Sequence, residues 1–249
     1  MDRFSLSDAQ WDQITALVPG QPGDPGRSGK DHRLFLEAVP WIARVGAPWR
    51  DLPLDFGNWN SAFKRFRRWA LRGVFDRIFA VLRGDPDFAY VIADGPTVGS
   101  TRRVPAQGGT QNQAIGRSRG GLTSKIMGLV DGLGNLIDFI LMPGQRHDSK
   151  GLGALIDGLT FGAFLGDKAF DNDALRAELP RRGAKAVIPG RRNRKLAVED
   201  DREMYKWRHQ VENFFARIKE FRRIATRYDK TDASFAAMIY LASAVVVSR

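Results

Sequence analysis

A mixed β-sheet with helices packed on its faces, preceded by a small all-helical unit, is the α/β fold that this chain predicts. Three observations carry that expectation. Residues 1–84 alternate amphipathic helical stretches with loops rich in Pro and Gly. From about residue 88 the pattern changes to short apolar runs of strand length, separated by helical stretches in the order β, β, β, α, β, α, β, α. The segment RGDPDF at 83–88 parts the two patterns, so we expect a helical domain over 1–84 and an α/β domain over 88–249.

In the first part, Ser7 is placed to cap a short helix reaching about Leu17, and PGQPGDPGRSGKD then reads as loop. A helix follows from about Asp31 to Val45, with Pro40 a kink or a break. After the turn GAPWRDLPLDFG a third helix runs from Asn58 to Arg72. Its Trp59, Phe63, Phe66 and Ala70 share one face, and Ser61, Arg65, Arg68 and Arg72 share the other. Lys64 and Arg67 add to the charge, and no acid interrupts it. A helix, a turn and a one-sided basic helix read as a helix-turn-helix-like DNA-binding unit, with a solvated helix face as the alternative.

In the second part, AYVIAD (89–94), SKIMGLVD (124–131) and NLIDFILM (135–142) read as strands, the last two joined by a tight Gly-rich turn. A short helix at 149–158, a strand FGAFLGD ending at Asp167, a helix at 171–182 and a strand KAVIP follow. Then comes a long amphipathic helix, and an Ala-rich helix over 233–247 closes the order. Two basic stretches read as loops: the one after the first strand, with Arg117 and Arg119, and GRRNRK, with Arg191 and Arg192. Arg222 and Arg223 follow the long helix. All six are candidate contacts to phosphates.

The chain has 249 residues and a net charge of +11, and its Arg content greatly exceeds its Lys content. A surface that basic attracts polyanions, and guanidinium forks suit phosphate, so nucleic acid is the expected partner. The alternative is a basic soluble protein from an arginine-rich proteome. Without cysteine there is neither a disulfide framework nor a thiolate metal site. The start MDRFSLSDAQWDQ does not resemble a signal peptide, and no apolar run is long enough to span a bilayer. The expected location is the cytoplasm, at the nucleoid, with no membrane and no small-molecule substrate.

The densest information lies in YKWRHQVENFFARIKEFRR. On a continuous α-helix, Tyr205, Arg208, Glu212 and Lys219 fall within an arc of roughly 60°. Beside them runs an apolar stripe of Met204, Trp207, Val211, Phe214, Phe215, Ile218 and Phe221, with Lys206, Asn213, Arg217 and Glu220 opposite. Two further acids stand at strand ends: Asp94 and Asp167. Strand-end residues and a flanking helix converge in mixed sheets, and converging carboxylates repel unless a cation joins them. Oxygen ligands of this kind suit Mg²⁺ or Mn²⁺, and two such ions about 3.5–4 Å apart support attack on a phosphodiester. Each acid alone is equally a turn or cap residue. His147 and Asp148 in RHDS read as well as a loop cap and stay outside the set.

The spacing Tyr205-x₂-Arg208-x₃-Glu212-x₆-Lys219 resembles the Y-R-E-K signature of IS4/IS5-type DDE transposases of bacterial insertion sequences. GGTQNQAIGRSRGGLTSKI, GQRHDS, GDKAFD, AVIPGRRNRK and RRIATRYDK are similar to the same family, as are GAPWRDLP and WNSAFKRFRRWA of its small DNA-binding domain. The resemblance covers nearly the whole chain. It implies an RNase H-like catalytic fold with Asp94, Asp167 and Glu212 as catalytic acids and metal ligands, holding two Mg²⁺ ions for which Mn²⁺ substitutes. It implies that Tyr205, Arg208 and Lys219 hold phosphates of the element end, and that the partner is double-stranded DNA, as terminal inverted repeats and as target. A homodimer on DNA follows from the need to pair two ends. Pro96, where the family tends to a hydroxyl residue, and Pro40 depart from the pattern. A repressor-like or domesticated protein that keeps the fold without turnover is the alternative.

Overall fold

The computed structural model describes residues 6–25, 29–101, 113–194, 198 and 201–247. They form two compact units that do not follow one another along the chain. The first comprises 1–84, 100–113 and 218–249, and the second 85–99 and 114–217. Residues 218–249, expected with the α/β domain, thus cluster with the N-terminal helices.

In the first unit, α1 (Asp8–Ile14) begins at a capping box made by Ser7 and Gln10. Helix α2 (His32–Val45) is capped by the Asp31 side chain and runs through Pro40 without a break. Pro48 and Pro53 each open a 3₁₀ turn, 49–51 and 54–56, before α3 (Trp59–Leu71) starts at its Asn58 cap. The connection from α2 to α3 is therefore far longer than the three or four residues of a helix-turn-helix. The tight turn lies instead between α3 and α4 (Val74–Leu82), at Arg72–Gly73, and α4 buries Val74, Phe75, Ile78 and Phe79.

The buried face of α3 also differs from expectation. It is centred on Ala62, Phe66 and Trp69 rather than on Trp59, Phe63 and Ala70. Trp69 stands edge-on to Phe35 of α2 at 4.8 Å between ring centres, and Phe66 lies 5.5 Å from Phe75 of α4. The unit is completed by α10 (Asp232–Val247), apolar on all sides, which packs against α2, α3 and α4 with Tyr240 on Phe79.

The second unit is built on a mixed sheet. Its strands are β1 (Val91–Asp94), β2 (Thr97–Ser100), β3 (Gly116–Ser118), β4 (Gly121–Val130), β5 (Leu136–Pro143), β6 (Ala163–Leu165) and β7 (Lys185–Val187). The order runs β7, β6, β1, β4, with β2, β3 and β5 also paired to β4. Strands β7, β6 and β1 are parallel, and β1 meets β4 antiparallel. Two strands, β2 and β3, were not expected, because their polar, Gly-containing residues carry no apolar run. Pro96 sits in the two-residue break between β1 and β2, where its carbonyl still accepts from the Ile126 amide at 3.0 Å. Helices α5 (Ser149–Ile156) and α6 (Asp173–Arg181) follow β5 and β6. Phe164, Phe170, Met127, Leu129 and Leu179 belong to the core of this unit.

The long helix is broken. Residues Arg202–Tyr205 form a short helix α7, 206–208 tighten into a 3₁₀ turn, and α8 runs from His209 to Lys219. Beyond it lie the short helix α9 (Arg222–Ala225) and the two-residue strand β8 (Thr226–Arg227), both in the first unit. The expected stripe is buried from Val211 through Phe214, Phe215, Ile218 and Phe221, whereas Trp207 in the tightened turn is 49% exposed beside Tyr90 and His209.

Gly128 of β4 is paired with Asp94, and Phe215 of α8 presses onto it. A Cβ added there would lie 2.8 Å from Phe215 Cζ, so only glycine lets α8 come this close to the sheet. Gly128→Val is expected to push α8 off the sheet and to cost about 1–3 kcal/mol, read as an earlier thermal transition.

Candidate active site

Asp94 and Asp167 are brought to one end of the sheet by strand register. Parallel β1 and β6 pair Val91 with Phe164 and Ile92 with Leu165, and each aspartate lies two residues further on the same face. Asp167 is also a cap: its Oδ1 accepts from the Ala169 amide at 2.8 Å, at the start of a 3₁₀ turn over 168–170. The catalytic and turn-forming readings of this acid are thus compatible in one residue.

Burial raises the Asp94 carboxyl above the ordinary carboxylate range. A backbone bond from Gly95 and the charge of Arg208 oppose the shift, while the charges of Asp167 and Asp148 add to it. Asp94 therefore sits within electrostatic reach of two other acids and of Arg208.

Arg208 ties the helix side of the site together. Despite the 3₁₀ turn, its guanidinium reaches Glu212 one turn on, and it also bonds the Tyr205 hydroxyl. Burial raises the Tyr205 phenol; Arg208 opposes that and Asp167 adds to it. Glu212 remains 54% exposed on its side chain, against 22% for Arg208. Lys219 is the exposed last residue of α8, two turns beyond Glu212, and belongs to the first unit.

Two residues beside Asp94 were not assigned from sequence. Lys125 of β4 donates to Asp148 and, at 2.7 Å, to the Arg146 carbonyl; both side chains of the pair are at least four-fifths buried. A Cβ at Gly95 would touch them both. Asp148 makes no cap hydrogen bond to α5, while His147 turns back to Ser149 Oγ at 2.9 Å. A Lys and an Asp 23 residues apart carry no local signal of pairing.

The donor set fits a hard cation in part. Asp94 and Asp167 offer oxygen at one place, and a cation would relieve the charge repulsion that disfavours ionised Asp94. Glu212, the third acid, is engaged by Arg208, and among the described residues no three acids or histidines stand close enough to share one ion. That ion pair uses only Oε1 of Glu212.

The cations expected to meet phosphate divide into two kinds. On α3, Lys64, Arg67, Arg68 and Arg72 are exposed and, with Phe63 and Leu71, line a groove of about 570 Å³. Arg117, Arg119, Arg192 and Arg222 are exposed as well. Arg65 is not of this kind: it is half-buried over the Phe35 ring and donates to the Lys30 carbonyl at 2.9 Å. Arg223 is 5% exposed, paired with buried Asp229 at 3.4 Å and bonded to the Ala47 carbonyl. Its guanidinium is turned to partners inside the protein. Arg191 is bound to two carbonyls of the Asp167 turn. Tertiary partners, which decide between these kinds, are invisible in a run of basic letters.

Known proteins align with this arrangement. Residues 90–247 match the family described as "Transposase DDE domain", and residues 6–79 match "Putative transposase of IS4/5 family". A relative named "Putative transposase for insertion sequence element IS6501", from Brucella ovis, is 35% identical over half of this chain and 98% of its own length. The uncharacterized protein y4sN of Sinorhizobium fredii is 40% identical over 39% of this chain and 78% of its own. Among solved structures, a piggyBac transposase synaptic complex with hairpin DNA superposes with a TM-score of 0.55 over 99% of this chain and 73% of that one. At 11% identity that likeness speaks for the fold alone, which is RNase H-like. Domains of this kind use divalent metal ions. Among the described residues no helix is long and apolar enough to cross a membrane. Matched over well more than half its length, the chain belongs to the transposase DDE domain family, within the IS4/IS5 transposases.

Proposed function

We propose that this transposase binds the terminal inverted repeats of an insertion sequence, cleaves phosphodiester bonds at the element ends and joins the 3′-hydroxyls to target DNA. The register that sets Asp94 beside Asp167, with Arg208 and Glu212 alongside, is the observation that supports it most. Asp94, Asp167 and Glu212 would hold two Mg²⁺ ions, or Mn²⁺ in their place, and such ions activate the attacking oxygen and stabilise the leaving one.

The chain's own residues bind and orient. Arg208, Tyr205 and Lys219 receive phosphates of the element end, and a phosphate that takes over Arg208 releases Glu212 to the acids. The exposed cations of α3, with Arg117, Arg119, Arg192 and Arg222, hold the DNA backbone and make binding fall steeply with salt. Two copies of the chain are needed to hold two ends together, so the working form is a dimer on double-stranded DNA.

The test is Glu212→Gln on a supercoiled plasmid carrying the element ends, in Mg²⁺ and in EDTA. The expected result is unchanged DNA affinity with loss of metal-dependent nicking. Undiminished nicking by the variant overturns the site, and absence of nicking by the wild type in Mg²⁺ leaves a DNA-binding protein without turnover. Lys64→Ala with Arg68→Ala is expected to weaken DNA binding uniformly and to reduce the slope of log affinity against log salt by about 2, one per phosphate contact.

A further inference from the structure

The basic segment 190–194 is exposed at Arg191, Arg192 and Asn193 but is tied to a buried carboxylate of the second unit. Its anchor is Asp171, whose side chain is 1% exposed. That carboxylate accepts from Arg176 Nε, from Arg194 Nη1 and from the Arg191 amide, each at 2.7 Å. Burial alone would push the Asp171 carboxyl up, but the bonds from Arg176 and the Arg191 amide, with the charges of Arg176 and Arg194, hold it below the ordinary range. Arg176 in turn donates to the Ile188 carbonyl at 2.5 Å, which fixes the chain just before the segment.

Held this way, Arg191 reaches back onto the turn that follows Asp167. Its Nε donates to the Lys168 carbonyl and its Nη2 to the Ala169 carbonyl, each at 2.9 Å. The Ala169 amide is the donor that holds the Asp167 carboxylate at 2.8 Å. One short turn is therefore gripped on its carbonyl side by Arg191 and on its amide side by Asp167.

We infer that Arg191 is a positioning residue for Asp167: its guanidinium, seated by Asp171, fixes the 168–170 turn and so aims the second acid. Arg191 is exposed, but its Nε and one Nη2 hydrogen, two of its five N–H donors, are committed to backbone carbonyls of this turn. A lysine there keeps the charge and loses the fork.

The inference rests on Asp167 being a metal ligand, and the test separates the two. Mn²⁺ binding to the DNA-free full-length protein is followed by electron paramagnetic resonance, and affinity for a non-specific duplex is measured against salt. For Arg191→Lys the expected result is roughly 10–100-fold weaker Mn²⁺ binding with DNA affinity and salt slope unchanged. Amide exchange at 168–170 should speed up in the metal-free variant, which a role in DNA contact would not produce. Asp171→Asn should follow Arg191→Lys in both readouts. Arg192→Ala, next door and exposed, should do the opposite: Mn²⁺ binding unchanged, salt slope lower by about 1. Wild-type Mn²⁺ affinity and amide exchange in Arg191→Lys, or loss of salt slope in Arg191→Ala, overturns the clamp. Asp167→Asn is the control: if it too binds Mn²⁺ as the wild type does, the metal site itself is misassigned.

Discussion

Asp94→Asn is expected to abolish metal-dependent cleavage and, in EDTA, to melt at a higher temperature than the wild type. Both effects come from one carboxylate. As a proposed metal ligand itself, Asp94 should cost more activity when its charge is removed than the roughly 10–100-fold typical of losing an outer partner of a metal ligand. Without metal, the same charge is a burden, because Asp94 is half-buried and faces the charges of Asp167 and Asp148.

The pH dependence has a definite sign. A carboxyl raised by folding stays protonated in the native state at pH values where the unfolded chain has already ionised. The native state then binds more protons, so its stability falls as pH rises through the window above the ordinary carboxylate value. Asp94→Asn escapes that loss. Its thermal advantage should be absent in acid, grow through that window and persist at neutral pH. Saturating divalent metal should reverse the ranking, since a ligand at a hundred times its dissociation constant adds about 2.7 kcal/mol to the state that binds it. Differential scanning calorimetry across pH, with EDTA or Mg²⁺, checks this. A variant no more stable than wild type in EDTA at neutral pH would show that Asp94 is not strained by its surroundings.

Arg223→Ala is the second large effect, and it should appear in stability rather than in DNA affinity. Both partners of the Arg223–Asp229 pair are 7% exposed on their side chains, so solvent does little to screen them. Removing one partner of such a pair typically costs about 3–5 kcal/mol, and here buried Asp229 is left with only the more distant charge of Arg227. The Ala47 carbonyl loses its donor, and Tyr228 loses the guanidinium over its ring. At this chain length the cost corresponds to a melting shift of roughly 10 °C. The salt slope of DNA binding should not move. A stable variant with a shallower slope would keep Arg223 in the DNA-contacting set.

The contrast between Arg223 and Arg222 shows what was legible in the letters. Apolar runs announced β1, β4, β5, β6 and β7, and the acids at strand ends announced Asp94 and Asp167, because a strand's length and its polar terminus are local properties. The Arg208–Glu212 contact was also legible, since an i, i+4 spacing survives the 3₁₀ turn before it. The tertiary partner of a particular arginine is not local. Arg65, Arg191 and Arg223 meet their carbonyls and rings through tertiary packing, and their sequence neighbourhoods match those of exposed Arg68, Arg192 and Arg222. The same holds for Lys125 with Asp148, and for β2 and β3, whose residues lack the apolar alternation of a half-buried strand.

The placement of α10 has a consequence for how the protein comes into being. The helices of residues 8–82 leave the ribosome early, but the apolar helix that packs on α2, α3 and α4 is made about 150 residues later. At 5–20 residues per second that interval is roughly 7–30 s. Throughout it the nascent helical unit displays the surface that α10 will cover, while the sheet between them is free to fold. The helical unit thus cannot reach its final packing before the acids have been synthesised. A message broken after the N-terminal region would yield not a competing DNA binder but an unfinished, aggregation-prone fragment.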